Sequence, residues 1–170
     1  MTRTSLLAVV FASLAAGCGG SSTTPSPTTP AKPTFTAQLS PANEVPAITN
    51  AESVASGSAT ITFVTTKDAA GAITSATATV VATLSGFPAG STITVAHIHT
   101  GAAGVAGGVL VPLIPAGVTL TNGGGSFTQS QSTDGPTATN IINNPAGFYF
   151  NVHTALNPGG VMRGPLVRTQ

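Results

Sequence analysis

The stretch Ala59-Thr60-Ile61-Thr62-Phe63-Val64-Thr65, followed by the turn Lys67-Asp68-Ala69-Ala70-Gly71 and the Thr/Ala/Val run Ile73–Leu84, decides the fold class. In the first run apolar and polar residues alternate, with Ile61 and Phe63 on one face. A period of two belongs to a half-buried strand rather than a helix. β-Branched residues fill both runs and the turn carries Asp and Gly, so the segment reads as a hairpin. Working outward, Phe35–Leu39, Thr92–His99 and Val109–Leu113 (closed by Pro115) read as strands. Val118–Thr121 and Ser126–Gln129 flank Asn122-Gly123-Gly124-Gly125, a strong turn signal. Phe148–His153 and Val161–Val167 are the last two candidate strands, and Ala138–Asn144 is the one helical turn. No run keeps helical periodicity over three turns, which predicts an all-β fold: one antiparallel β-sandwich over residues 34–170, without tandem repeats.

The first 33 residues have a different texture. Arg3 and the amino terminus supply positive charge, Ser5–Leu14 is an apolar core, and small residues lead to Cys18. This is the layout of a secretory signal over residues 1–17, too short to span a bilayer, which takes about 20 residues. Leu14-Ala15-Ala16-Gly17-Cys18 resembles a bacterial lipobox. The expectation is lipidation of Cys18 and a membrane tether outside the cytoplasm, in the cell envelope at an outer membrane or cell surface. One acyl chain anchors only marginally, so lasting attachment takes two or more. Cys18 is the sole cysteine, which excludes an intrachain disulfide. Residues 18–33 carry Pro25, Pro27, Pro30 and Pro33 among Ser, Thr and Gly, the composition of a linker.

Charge narrows the partners. Lys32, Lys67, Arg163 and Arg168 balance Glu44, Glu52, Asp68 and Asp134, and charged residues make up only 5% of the chain. Nothing here attracts a phosphate backbone, so nucleic acid is disfavoured as a partner. An envelope protein or polysaccharide remains as a partner class. No serine stands in a nucleophile-elbow pattern and the acids are scattered, which gives hydrolysis little support. The expectation is a protein that is not an enzyme, with no catalytic residues.

Chemistry concentrates in three segments. Ala96-His97-Ile98-His99 places two imidazoles on the same face of a strand, roughly 6–7 Å apart along it. In Phe148–Thr154 one face is Phe148, Phe150 and Val152 and the other is Tyr149, Asn151 and His153. The third segment, Asn157-Pro158-Gly159-Gly160, turns into a strand carrying Met162 and Arg163. The chain's three histidines all fall in these segments. Two readings stand for them. Each imidazole bonds a backbone carbonyl at a strand end, or His97, His99 and His153 together hold one copper or zinc ion, with Glu44 or Met162 as a further ligand. Arg163 either balances an anion near the histidines or pairs with Glu44, and a half-buried arginine favours the pair. Glu44, in Asn43-Glu44-Val45-Pro46, reads first as a loop cap and second as a ligand. Tyr149 reads as a packing residue with its hydroxyl at the rim.

Together these motifs resemble the CHRD domain, first described in chordin and common in bacterial exported proteins. The resemblance runs from about Phe35 to Val167 and rests on Leu39-Ser40-Pro41-Ala42-Asn43-Glu44-Val45-Pro46, on Ala96-His97-Ile98-His99, and on Asn151-Val152-His153-Thr154 with Asn157-Pro158-Gly159-Gly160 and Arg163-Gly164. Val161, Met162 and Pro165 depart from the family pattern, which usually has glutamate, isoleucine and glutamine at these places. The resemblance implies a Greek-key β-sandwich and an extracytoplasmic setting. The strand Ala96-His97-Ile98-His99 is also similar, more faintly, to the copper strand of copper–zinc superoxide dismutase, whose two-metal chemistry uses more histidines than this chain has. The tether, the neutral surface and the lack of an acid–base pair fit a non-catalytic binding or structural module, with mononuclear copper or zinc binding for storage, delivery or sensing as the alternative.

Overall fold

The computed structural model describes residues 31–113 and 117–170. The signal peptide, Cys18 and the linker up to Pro30 lie outside the described residues. Among the described residues ten strands form two antiparallel sheets: β1 (Thr34–Leu39), β2 (Ser56–Lys67), β3 (Ile73–Ser85), β4 (Ser91–Thr100), β5 (Val109–Pro112), β6 (Val118–Leu120), β7 (Gly125–Asp134), β8 (Phe148–Thr154), β9 (Met162–Pro165) and β10 (Val167–Arg168). The first sheet runs β10-β1-β2-β3-β7. The second runs β5-β4-β8-β9, with β6 also paired to β4. This is the expected all-β sandwich.

The hairpin β2–β3 pairs as its alternation predicts. Ala59, Ile61 and Phe63 of β2 lie opposite Ala82, Val80 and Ala78 of β3, and all six are buried. Phe35 and Phe63 meet edge to face, ring centroids 5.9 Å apart, and Phe150, Ile93, Ile98 and Met162 fill the core from the other sheet. The turn at Asn122–Gly125 does not close a hairpin. β6 pairs with β4 and β7 with β3, so the chain changes sheet there. β7 also runs five residues past Gln129, because its half-buried positions Gln129, Gln131 and Thr133 are polar at a sandwich edge and leave no apolar alternation to detect.

The helical turn expected at Ala138 is a helix, α1 (Gly135–Asn143). Asp134 caps it by accepting the Thr137 N–H at 2.7 Å, and Pro136 stands in the first turn, where its missing N–H costs nothing. Ala138, Ile141 and Ile142 are its buried face. The final expected strand breaks in two at Leu166, which turns into the core. β9 also touches the first sheet, with Ser40 bridging to Arg163. That approach requires Gly164, since a Cβ there would stand 2.1 Å from the Gln38 carbonyl oxygen.

Candidate metal centre on the second sheet

A bulge places the histidines. Between Ile93 and Val95 the β4–β8 register slips, so Ile93, Ala96 and Ile98 face the core while His97 and His99 face away from it. On β8, Phe150 and Val152 face the core and Tyr149, Asn151 and His153 share the histidine face. The register sets His97 opposite Asn151, and Asn151 opposite Arg163 on β9. One polar row therefore crosses three strands.

This outward face is not a wet one. All seven residues of β8 are buried, and so are His99, Asn151, His153 and Arg163. Loops 101–108, 40–48 and 155–160 supply its polar partners. His99 Nδ1 lies 3.0 Å from the Gly107 carbonyl and His153 Nδ1 lies 2.9 Å from the Pro158 carbonyl. A carbonyl oxygen only accepts, so both Nδ1 atoms carry protons. In the neutral rings both Nε2 atoms then carry lone pairs. His153 Nε2 lies 3.2 Å from His97 Nδ1, and His99 Nε2 is buried without a partner. One ligand-capable nitrogen from each of His97, His99 and His153 lies within 4.8 Å of the other two.

Burial favours the neutral form of His97 and His99. Burial, with His153 and His99 beside it, lowers His97 from 6.5 to about 4. Burial also lowers His99, helped by His153 and Arg163 and opposed by the Gly107 hydrogen bond. A neutral imidazole with its Nδ1 proton held by a carbonyl is the form that offers Nε2 to a transition metal.

Arg163 and Glu44 meet, with Arg163 Nε 3.5 Å from Glu44 Oε2. The guanidinium also donates to the Asn43 carbonyl at 2.7 Å and the Val105 carbonyl at 3.3 Å, and its Cζ lies 4.7 Å from the Tyr149 ring centroid. Burial outweighs Arg163 and raises the Glu44 carboxyl from 4.5 to about 7. Glu44 thus belongs to the arginine and not to the group of three histidines. Met162 requires a correction too. It pairs with Val152 in the core, fully buried against Gly57, and its sulfur lies on the opposite face from the imidazoles. Strand parity excludes it as a ligand.

Tyr149 stacks on His99, centroids 5.0 Å apart and planes 13° apart, and its hydroxyl accepts the Gly107 N–H at 3.2 Å. It is buried, not at the rim. A cavity of about 440 Å³ lies beside it, lined by Glu44, Ala102, Tyr149, Arg163 and Pro165 among others and by none of the histidines.

Glu52 was not legible as a site residue. Only 2% exposed, its carboxylate accepts from Thr154 Oγ1 at 2.6 Å and Asn157 Nδ2 at 2.5 Å. Asn50 bonds both the Glu52 N–H and the Asn157 side chain. This clamp holds the turn whose Pro158 carbonyl orients His153. The sole advance signal was Asn157 in its Pro-Gly-Gly turn. The glycine at 160 completes it, at φ +128° and so close to Asn151 that a Cβ would stand 2.7 Å from its side-chain amide.

The family model for the CHRD domain matches residues 35–166 of this chain. None of the curated proteins or solved structures compared with it matches. Among the described residues no helix is long and apolar enough to cross a membrane.

Proposed function

The chain belongs to the CHRD domain family, and we propose that it is a non-catalytic binding module whose ligand is one copper or zinc ion held by His97, His99 and His153. Family membership supports the coarser part, a binding or structural module, since the family is not known as enzymatic. The observation that carries the metal reading is that one ligand-capable nitrogen from each histidine lies within 4.8 Å of the other two, while carbonyls occupy the Nδ1 atoms of His99 and His153 and leave their Nε2 atoms as the donors. Imidazole nitrogen suits both ions, at bond lengths near 2.0–2.1 Å for zinc. The 3.2 Å separation of His97 and His153 nitrogens is already the spacing of two ligands on one ion of that size. No carboxylate or thiolate joins the group among the described residues. Three neutral ligands leave a further coordination position for water or an exogenous donor, which fits storage, delivery or sensing.

The setting we propose is extracytoplasmic, with lipid on Cys18 tethering the domain to the envelope and residues 18–33 as the spacer. Calorimetric titration of the purified protein with Cu(II) and Zn(II) tests the metal reading. Stoichiometric binding that disappears in the His97→Ala/His99→Ala double variant supports it. Binding that is absent, or unchanged in that variant, leaves a metal-free module. Release of the protein from membranes by Cys18→Ala tests the tether, and undiminished membrane association in that variant would remove it.

A further inference from the structure

The cavity of about 440 Å³ beside Tyr149 carries chemistry that the histidines do not use. Two loops bound it. Loop 40–48 contributes Ala42 and Val45, and loop 101–108 contributes Ala102 and Ala103. Arg163 ties these loops together, Nε donating to the Asn43 carbonyl at 2.7 Å and Nη1 to the Val105 carbonyl at 3.3 Å. The third nitrogen of the fork, Nη2, is buried and has no hydrogen-bond partner among the described residues. The nitrogens of a guanidinium diverge in one plane, so with one turned to each loop the third is directed at the space the loops enclose. Arg163 is only 4% exposed and lines that space.

The guanidinium's charge is incompletely met. Its hydrogen bonds all go to neutral carbonyls. Glu44 lies 3.5 Å from Nε, but the Nε proton is taken by the Asn43 carbonyl. Burial raises the Glu44 carboxyl to about 7, so near neutral pH it offsets the arginine only in part. A buried cation without a hydrogen-bonded anion is costly, and an arriving anion relieves that cost.

These features select the ligand. A free guanidinium N–H with uncompensated charge takes an anionic oxygen. Glu44, against the same guanidinium, repels a second full negative charge, which favours a monoanion over a phosphate dianion. Ala42, Val45, Ala102 and Pro165 line the cavity with apolar carbon, which suits an aliphatic body. The volume stands toward the lower end of the about 300–1,000 Å³ of small-molecule sites.

We infer that this cavity binds a small organic monocarboxylate, its carboxylate on Arg163 Nη2 and its apolar body between loops 40–48 and 101–108. None of the histidines lines the cavity, so binding requires no metal.

The test titrates the full-length chain with hexanoate in the presence of EDTA and follows the backbone amides by NMR. Saturable shifts are expected at Gly104, Val105 and Gly164. Hexanamide, the neutral isostere, is expected to bind at least tenfold more weakly. N-acetyl-dialanine tests a peptide's carboxyl end as the source of the carboxylate; its saturable binding in place of hexanoate also supports the inference and names that source. Arg163→Gln should weaken binding at least tenfold. Because Arg163 also holds both loops, Ala102→Phe provides a second reading. Ala102 is exposed, so the fold is kept, and the added ring is expected to occupy the cavity and abolish binding. Absence of saturable shifts with both acids, hexanamide binding as tightly as hexanoate, or undiminished binding in either variant overturns the inference. So does inorganic phosphate saturating the site as tightly as hexanoate, since a bare anion has no use for the apolar walls.

Discussion

Replacing Glu52 probes how the histidine face is held. Its carboxylate is 2% exposed and accepts from Thr154 and Asn157, and the one salt bridge among the described residues is elsewhere, between Arg163 and Glu44. Hydrogen bonds to a charged acceptor contribute about 1.5–3 kcal/mol each, and a buried donor left without a partner costs a similar amount. Glu52→Ala removes both bonds and strands two donors, while relieving the burial of a carboxylate. A net loss of about 3–4 kcal/mol is expected, against the 5–15 kcal/mol typical of a whole domain. Both donors meet the same oxygen, Glu52 Oε2, so Glu52→Gln keeps the shape and can keep both bonds to a neutral amide oxygen, and about half that loss is expected. Urea unfolding followed by circular dichroism measures both, with an unchanged slope showing that stability alone has moved. The same variants test the relay to the site. If the clamp positions the Pro158 carbonyl, and that carbonyl orients His153, copper or zinc affinity should fall about 10–100-fold although no imidazole was touched. A stability loss below about 1 kcal/mol would refute the clamp. A full stability loss with unchanged metal affinity would refute the relay.

Three more outcomes are expected. In metal-free buffer, His97 (held at about 4, against 6.5 unfolded) withholds a proton in the native state, so its share of stability is lost as pH falls from 6.5 towards 4; Glu44 (raised from 4.5 to about 7) adds stability at low pH that is lost as pH rises towards 7. These slopes oppose each other and the His97 share is common to both chains, so Glu44→Gln, which removes only the opposing slope, should lose roughly 1–2 kcal/mol more than wild type between pH 6.5 and 4, and parallel pH profiles in chemical denaturation would count against it. Gly164→Ala drives a Cβ to within 2.1 Å of the Gln38 carbonyl, which is backbone and cannot swing aside; about 3 kcal/mol and a clear drop in Tm are expected, and an unchanged melt would mean that β9 and β1 do not approach so closely. Met162→Leu should cost less than about 1.5 kcal/mol and leave metal affinity unchanged, whereas a tenfold loss would return the thioether to the ligand set.

Local pattern was enough for much of this. Alternation in Ala59–Thr65 and β-branching in Ile73–Leu84 are properties of neighbouring residues, and they specify a hairpin whichever fold surrounds it. Period two likewise put His97 and His99 on one side of a strand, and Tyr149, Asn151 and His153 on one side of another. The sequence could not supply the pairing of β4 with β8, because register is a long-range choice made by the whole core. That choice, with the bulge between Ile93 and Val95, brought His153 to within 3.2 Å of His97. Met162 shows the same limit: one residue of parity at the start of β9 decides between core and site, and Val152 opposite it settled the matter. Glu52 shows it most plainly. Nothing within ten residues of it marks a buried carboxylate, since its partners Thr154 and Asn157 lie about a hundred residues away and meet it only once the two sheets have closed.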